Sequence, residues 1–172
     1  MPNLNEAITT IKGQAISPNL GLKEDIFLLV SELTPLVNVD LLIKNDEDNI
    51  LLTWRSDQFY GSGWHIPGGI VRFKEKFETR IHAVAKKELN ATLTHHNTPL
   101  MISSTINETR NTRGHFISLL FNCKLTSELD SQNKFNPEHP QNDQWAWHSQ
   151  MPDDFLDVQK EIYSDLFKAP RS

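Results

Sequence analysis

"GSGWHIPGGIVRFKEKFETRIHAVAKKEL", residues 61–89, concentrates the readable signal of this chain. Four glycines, a proline and a tryptophan fall in its first nine residues, and an amphipathic helix follows. Gly68 and Gly69 permit backbone conformations and close approaches that a side chain forbids, and Pro67 fixes the chain entering what reads as a tight turn. The spacing predicts a helix from about Lys76 to Leu89, with Phe77, Ile81, Val84 and Ala85 as its buried stripe. Glu88 falls on the edge of that stripe, three and four positions after Ala85 and Val84. Burying an unpaired carboxylate is costly or shifts its pKa, so Glu88 calls for a cation or water. Two readings stay open. One is a salt bridge at the helix end; the other is a metal ligand beside carbonyls of the glycine turn, whose hard oxygens suit Mg2+ or Mn2+. A glycine turn ahead of a helix can also hold phosphate on its N–H groups. The pattern is neither G-x-x-x-x-G-K-[ST] nor G-x-G-x-x-G after a strand, which argues against P-loop and dinucleotide sites.

Outward from this stretch, residues 23–33 read as a short helix that Pro35 terminates. "VNVDLLIK" sets Val37, Val39, Leu41 and Ile43 on one strand face, with Asn38 and Asp40 on the other. "NDEDN" makes a hairpin turn, and "ILLTWR" returns as a second strand bearing Arg55. Further strands are expected around 101–106, at 115–124 and in "QWAWH". "VQKEIYSDLF" reads as a final helix with Val158, Ile162, Leu166 and Phe167 inward. Residues 1–22 form a weakly defined lead-in, because "SPNLG" interrupts the helical spacing of Leu4, Ala7, Ile8 and Ile11. Residues 23–172 read as one domain. Strands, a central helix, more strands and a final helix favour an α+β or α/β/α arrangement over a doubly wound parallel sheet.

At 172 residues a single domain can bury about 70% of the surface its unfolded chain exposes. The formal charge of −5 gives no reason to expect nucleic acid or an anionic membrane as partner. No run of 18 apolar residues is present, and the first residues lack a secretory signal pattern. The single Cys123 forms no internal disulfide and suits a reducing cytosol, so a cytoplasmic location is expected. On that reading the sequons at Asn90 and Asn107 are chance matches.

"WHIPGGIVRFKE" followed by "KKEL" resembles the Nudix box, G-x5-E-x7-R-E-U-x-E-E-x-G-U with U apolar. Counting from Gly69, Glu75 matches the first glutamate and Glu88 the last of the paired glutamates. Ala83 and Val84 stand in place of Arg-Glu, Lys87 in place of the first paired glutamate, and Asn90 in place of the closing glycine. Residues 34–71 further resemble GDP-mannose mannosyl hydrolases, an atypical Nudix branch, through the TPLV lead, Asp40, the LL-x-x-R hairpin and W-x-x-PGG. The resemblance implies a Nudix-type α/β/α sandwich with a mixed β-sheet, a homodimer, and Mg2+-dependent hydrolysis of a nucleoside diphosphate sugar. It carries the metal ligands to Gly68, Glu88 and Gln141, and the diphosphate contact to Arg55. It also carries nucleoside-side contacts to Asp40 and to Phe27, the latter across a dimer interface in some arrangements. Read from the residues alone, Asp40 is equally a solvent-facing strand residue and Phe27 a core residue.

Several chemical groups of that branch are absent. Its general base, a histidine after the metal-binding glutamine, corresponds to Asn142, which cannot take a proton near neutral pH. Helper arginines correspond to Ile70 and Ala83, and a site tyrosine to Phe116. His139, in the same loop, is the candidate replacement base, imidazole being the side chain suited to proton transfer near neutral pH. Glu75 needs a new partner, with Arg72 and Arg80 as candidates. A binding module that holds a nucleotide sugar without turnover is therefore the alternative, and a conventional nucleotide pyrophosphohydrolase the third reading.

Overall fold

The structure, a computed structural model, describes residues 3–168; the outermost residues of the lead-in and of the single domain read from the sequence lie outside that range. Helices are α1 (Leu4–Gln14), α2 (Glu24–Leu33), α3 (Phe77–Leu89) and α4 (Asp157–Tyr163), the last continued by a 3-10 turn to Phe167. Strands are β1 (Leu36–Ile43), β2 (Ile50–Asp57), β3 (Gly61–His65), β4 (Gly68–Ile70), β5 (Leu93–His95), β6 (Met101–Ile106), β7 (His115–Leu125) and β8 (Trp145–His148).

The larger sheet runs β4-β1-β7, with β5 and β6 pairing successive halves of the far edge of β7. β1 and β7 are parallel over Leu36–Ile43 against Phe116–Cys123, and the other pairings are antiparallel, so the sheet is mixed. A second sheet, β3-β2-β8, is wholly antiparallel. Successive residues of β1 serve opposite layers. Val39, Leu41 and Ile43 pack with Ile81, Val84, Ala85 and Leu89 of α3, whereas Leu42 joins Tyr163 of α4 on the other side. The expected mixed α/β/α sandwich is the observed fold.

Three local readings change. The lead-in contains a formed helix, α1, closed by a reciprocal capping box: Asn3 Oδ1 accepts from the Glu6 N–H at 3.0 Å, and Glu6 Oε2 from the Asn3 N–H at 3.1 Å. No residue of α1 is buried, so these local bonds carry it. Phe77, expected in the buried stripe of α3, is 45% exposed because it sits in the helix's first turn. The glycine segment is not a turn. Gly68 and Gly69 lie in edge strand β4, paired with Asp40 and Val39, and neither has positive φ.

What these glycines supply is thinness. A Cβ on Gly68 would sit 2.1 Å from Asp40 Oδ1 and 2.9 Å from the Val39 carbonyl, and one on Gly69 would sit 2.8 Å from Val84 Cγ2. The two hydrogens therefore face opposite layers, each against a packed group. Gly68→Ala is expected to cost about 1–3 kcal/mol through overpacking; a chemical-denaturation midpoint equal to wild type would show that β4 yields freely.

Candidate active site

A cavity of about 790 Å³ wraps around β4. Its walls come from β1 and β4, the inner face of α3, α2, α4 and residues Tyr60 and Arg113. Of the sequence-derived candidates, Phe27, Asp40, Arg55, Gly68 and Glu88 all line it.

Glu88 is 7% exposed, and among the described residues its side chain's one hydrogen bond is with Thr53 Oγ1, at 3.3 Å. Burial, then the neighbouring Asp143 carboxylate, push its pKa up to about 8. Asp143 is itself raised by burial. Two carboxylates that repel each other in a half-enclosed site form a set that a hard divalent cation would relieve. Gly68 adds a third oxygen. The Leu41 N–H bonds Pro67 O at 2.8 Å, so alternation along the edge strand turns the Gly68 carbonyl away from β1. This donor chemistry fits Mg2+ or Mn2+.

His65, buried beside Glu88, is driven down to about 3 by desolvation and then by the Arg55 charge, so it is neutral. Its Nδ1 lies 2.9 Å from the Ile66 carbonyl and must donate to it, which leaves a bare Nε2 3.1 Å from Thr53 Oγ1, whose one proton serves either Nε2 or Glu88. The Glu88–Thr53–His65 chain fixes the carboxylate from behind.

Arg55 Nε is held by Asp57 Oδ2 at 2.6 Å, and Tyr60 lies under its guanidinium at 5.4 Å. Among the described residues its terminal Nη groups make no hydrogen bond, so they are available to an incoming oxyanion. Burial raises the Asp57 pKa, but the Tyr60 and Phe59 N–H groups and Arg55 outweigh it and hold the group ionised. Phe27 lies on the cavity wall under Arg113, whose guanidinium also stacks on Phe59 at 4.5 Å. The wall is therefore cationic, with Arg55, Arg72, Lys87 and Arg113 around two acids.

Asp40 is not solvent-facing; it is 1% exposed. It accepts from Tyr163 Oη at 2.6 Å and from Asn38 Nδ2 at 2.7 Å. Burial nonetheless lifts its pKa to about 7.

The loop before β8 holds the remaining candidates. Gln141 and His139 are exposed and outside the cavity wall. Gln141 is tied by its main-chain N–H to Gln144 Oε1 at 2.9 Å. Asn142 acts as an extra rung on β2: its Oδ1 accepts from the Ser56 N–H at 2.6 Å, and its Nδ2 donates to the Ser56 carbonyl at 3.3 Å. Asp143, which the sequence reading passed over, is the loop residue that acts on Glu88. Its left-handed backbone, φ 66°, follows the Asn142 clamp. No local signal separates Asp143 from the other polar residues of that loop; the same holds for Thr53 and Tyr163.

Glu75 has its partner. Arg80 binds it through Nε and Nη2, both at 2.8 Å. Arg80 stands one turn before Ala83 on the same helix face, so the guanidinium lost at 83 is restored from 80. Asn90 likewise keeps the left-handed cap, φ 49°, that the motif's glycine serves.

The NUDIX domain family model matches residues 34–166. The low-salt glycan biosynthesis protein Agl8 of Haloferax volcanii is 31% identical over 83 residues, 48% of this chain and 53% of that protein. The chain thus matches about half the length of that curated relative. The MutT NUDIX hydrolase of Burkholderia pseudomallei superposes with a TM-score of 0.60 at 19% identity, covering 78% of this chain and 99% of that one. A UDP-X diphosphatase superposes with a TM-score of 0.55 at 19% identity, covering 94% and 75%. At such identities these structures speak to the fold alone.

Proposed function

Because the chain belongs to the NUDIX domain family, we propose that it is a divalent-metal-dependent hydrolase of a nucleoside diphosphate sugar or related nucleoside diphosphate derivative. The observation that carries this reading is the pairing, in one cavity, of buried Glu88 with the free terminal groups of Arg55. Glu88 and the Gly68 carbonyl would hold the cation, with Asp143, the loop carboxylate that bears on Glu88, as the third donor in place of the exposed Gln141. When bound, the cation neutralises and polarises a diphosphate oxygen. Arg55, with its Nε braced by Asp57, presents a fixed fork to the same group. The cationic wall supplies the remaining charge, and Lys87 places an ammonium where the family motif has a carboxylate. That substitution lowers the negative charge of the site and suits one cation rather than several. Phe27 and Tyr60 offer flat faces for a base or sugar. The glycan-related name of the Haloferax relative supports a nucleotide-sugar substrate, and the resemblance of residues 34–71 to GDP-mannose mannosyl hydrolases suggests the GDP-mannose type.

One observation favours a second reading. Asn142 is clamped to Ser56 by both ends of its amide, and His139 faces solvent, so neither supplies the imidazole base of the mannosyl hydrolase pattern. A nucleotide-sugar binding module without turnover accords with that arrangement. The test is incubation with GDP-, UDP- and ADP-sugars and nucleoside triphosphates, with Mg2+ and then with EDTA, products being identified by chromatography. Mg2+-dependent breakdown of a nucleotide sugar is the expected result. Release of free sugar means attack at carbon; sugar phosphate means attack at phosphorus. Tight binding with no product would leave the module, and cleavage of triphosphates alone would replace the sugar substrate.

A further inference from the structure

We propose that Glu78, His82 and His95 form a second metal site, on the outer side of α3, that takes a transition ion of the zinc class. None of the three lines the cavity around β4. One ligand atom from each lies within 4.8 Å of the others. Zinc–nitrogen and zinc–oxygen bonds of about 2.0–2.2 Å place neighbouring donors within about 4 Å of one another, so small rotations of the exposed ends close the set.

Three features point to ligation. Glu78 and His82 are four apart on α3 and therefore share a face, while His95 approaches from β5, with its ring 5.6 Å from that of His82. The tautomer of His95 is fixed: its Nδ1 lies 2.9 Å from the His96 carbonyl and must donate to it. The Nε2 lone pair is then free, as in the carbonyl-oriented histidines that typify metal centres. Third, neither the Glu78 carboxylate nor the His82 ring makes a hydrogen bond or ion pair among the described residues, and both are exposed to arriving ions. Phe121 backs the His95 ring at 6.1 Å and holds its orientation.

Two imidazoles and one carboxylate suit Zn2+, Ni2+ or Cu2+ and are poor for Mg2+, which prefers an all-oxygen shell. The two sites thus select different ions. Glu78 and Glu88 are ten residues apart, about 15 Å along the helix axis, so the sites are separate. A bound ion would fasten the start of α3 to β5, and with it the helix that carries Glu88.

The test is calorimetric titration of the tag-free, EDTA-stripped chain with Zn2+ in excess Mg2+. One equivalent should bind, equally well in Glu88→Gln, while His82→Ala weakens binding at least about tenfold by losing one of three donors. Long-range imidazole nitrogen spectra of the wild type should show His82 and His95 resonances moving with Zn2+, His95 through Nε2. Zinc should also raise the unfolding temperature of the wild type but not of His82→Ala. Absence of Zn2+ binding, wild-type affinity in His82→Ala, or unmoved His82 and His95 signals would each overturn the site.

Discussion

Glu88→Gln should abolish Mg2+-dependent turnover, by at least about a thousandfold, while leaving the fold intact. The side chain keeps its shape, so packing against Thr53 survives, but the anionic oxygen in the cavity is lost. Mn2+ binding followed by electron paramagnetic resonance should weaken in parallel. Stability moves the other way. In the folded chain the Glu88 carboxyl titrates near about 8 instead of 4.5, so between these values the folded state retains a proton that the unfolded state has released. Its contribution is full below pH 4.5 and is lost as pH rises through about 8, on the order of a few kcal/mol. Glutamine removes that slope. In EDTA at pH 9 the variant should therefore unfold at a higher temperature than the wild type, with the difference vanishing near pH 4. Asp40, raised to about 7, gives the same sign between 3.8 and 7 and remains in both proteins. Wild-type rates in Glu88→Gln would remove Glu88 from the site.

Arg80→Met should be the most damaging change to stability among those considered. Arg80 and Glu75 bury all but about a tenth of their side-chain surface, 11% and 10% remaining exposed, and they meet in a two-pronged contact. Removing the guanidinium leaves a nearly enclosed carboxylate with, among the described residues, the Arg72 N–H at 2.9 Å as its remaining partner. Such an orphan costs about 3 kcal/mol, which lowers the unfolding temperature of a chain this size by about 6–12 °C. Methionine nearly matches the aliphatic length of arginine, so the loss reports charge more than volume. Adding Glu75→Gln should return most of the stability, because the stranded charge goes with it. A single-variant loss below about 0.5 kcal/mol would show that water already serves Glu75.

The helix that carries the site was legible because its apolar period is set by the sheet it covers: Ile81, Val84, Ala85 and Glu88 are all buried. Phe77 fails that pattern only because it sits at the helix start, where packing has not yet begun to enforce the period. The glycine pair announced itself but was ambiguous, since glycine answers two demands, unusual φ and missing bulk, and sequence does not say which. Here it is bulk. Asp40 was placed on the correct face of β1, but that face is covered by α4, and Tyr163 meets it from 123 positions away. A contact of that span leaves no local trace. The continuous run Leu41, Leu42, Ile43 was the available sign that both faces are buried. Asn142 shows the limit of reading a loop by position. Its amide is a strand rung, and the acid that bears on Glu88 is the next residue.

β4 consists of little more than backbone at the point where it passes between the layers. Asp40 presses on it from one side and Val84 with Arg80 from the other. Two ionisable neighbourhoods, the Asp40–Tyr163 pair and the Arg80–Glu75 pair, are thus kept apart by a partition one peptide thick. A membrane of that thickness transmits displacement with almost no slack. A ligand that draws Glu88 inward would pull α3 against this wall, and the displacement would reach Asp40 through the backbone of β4.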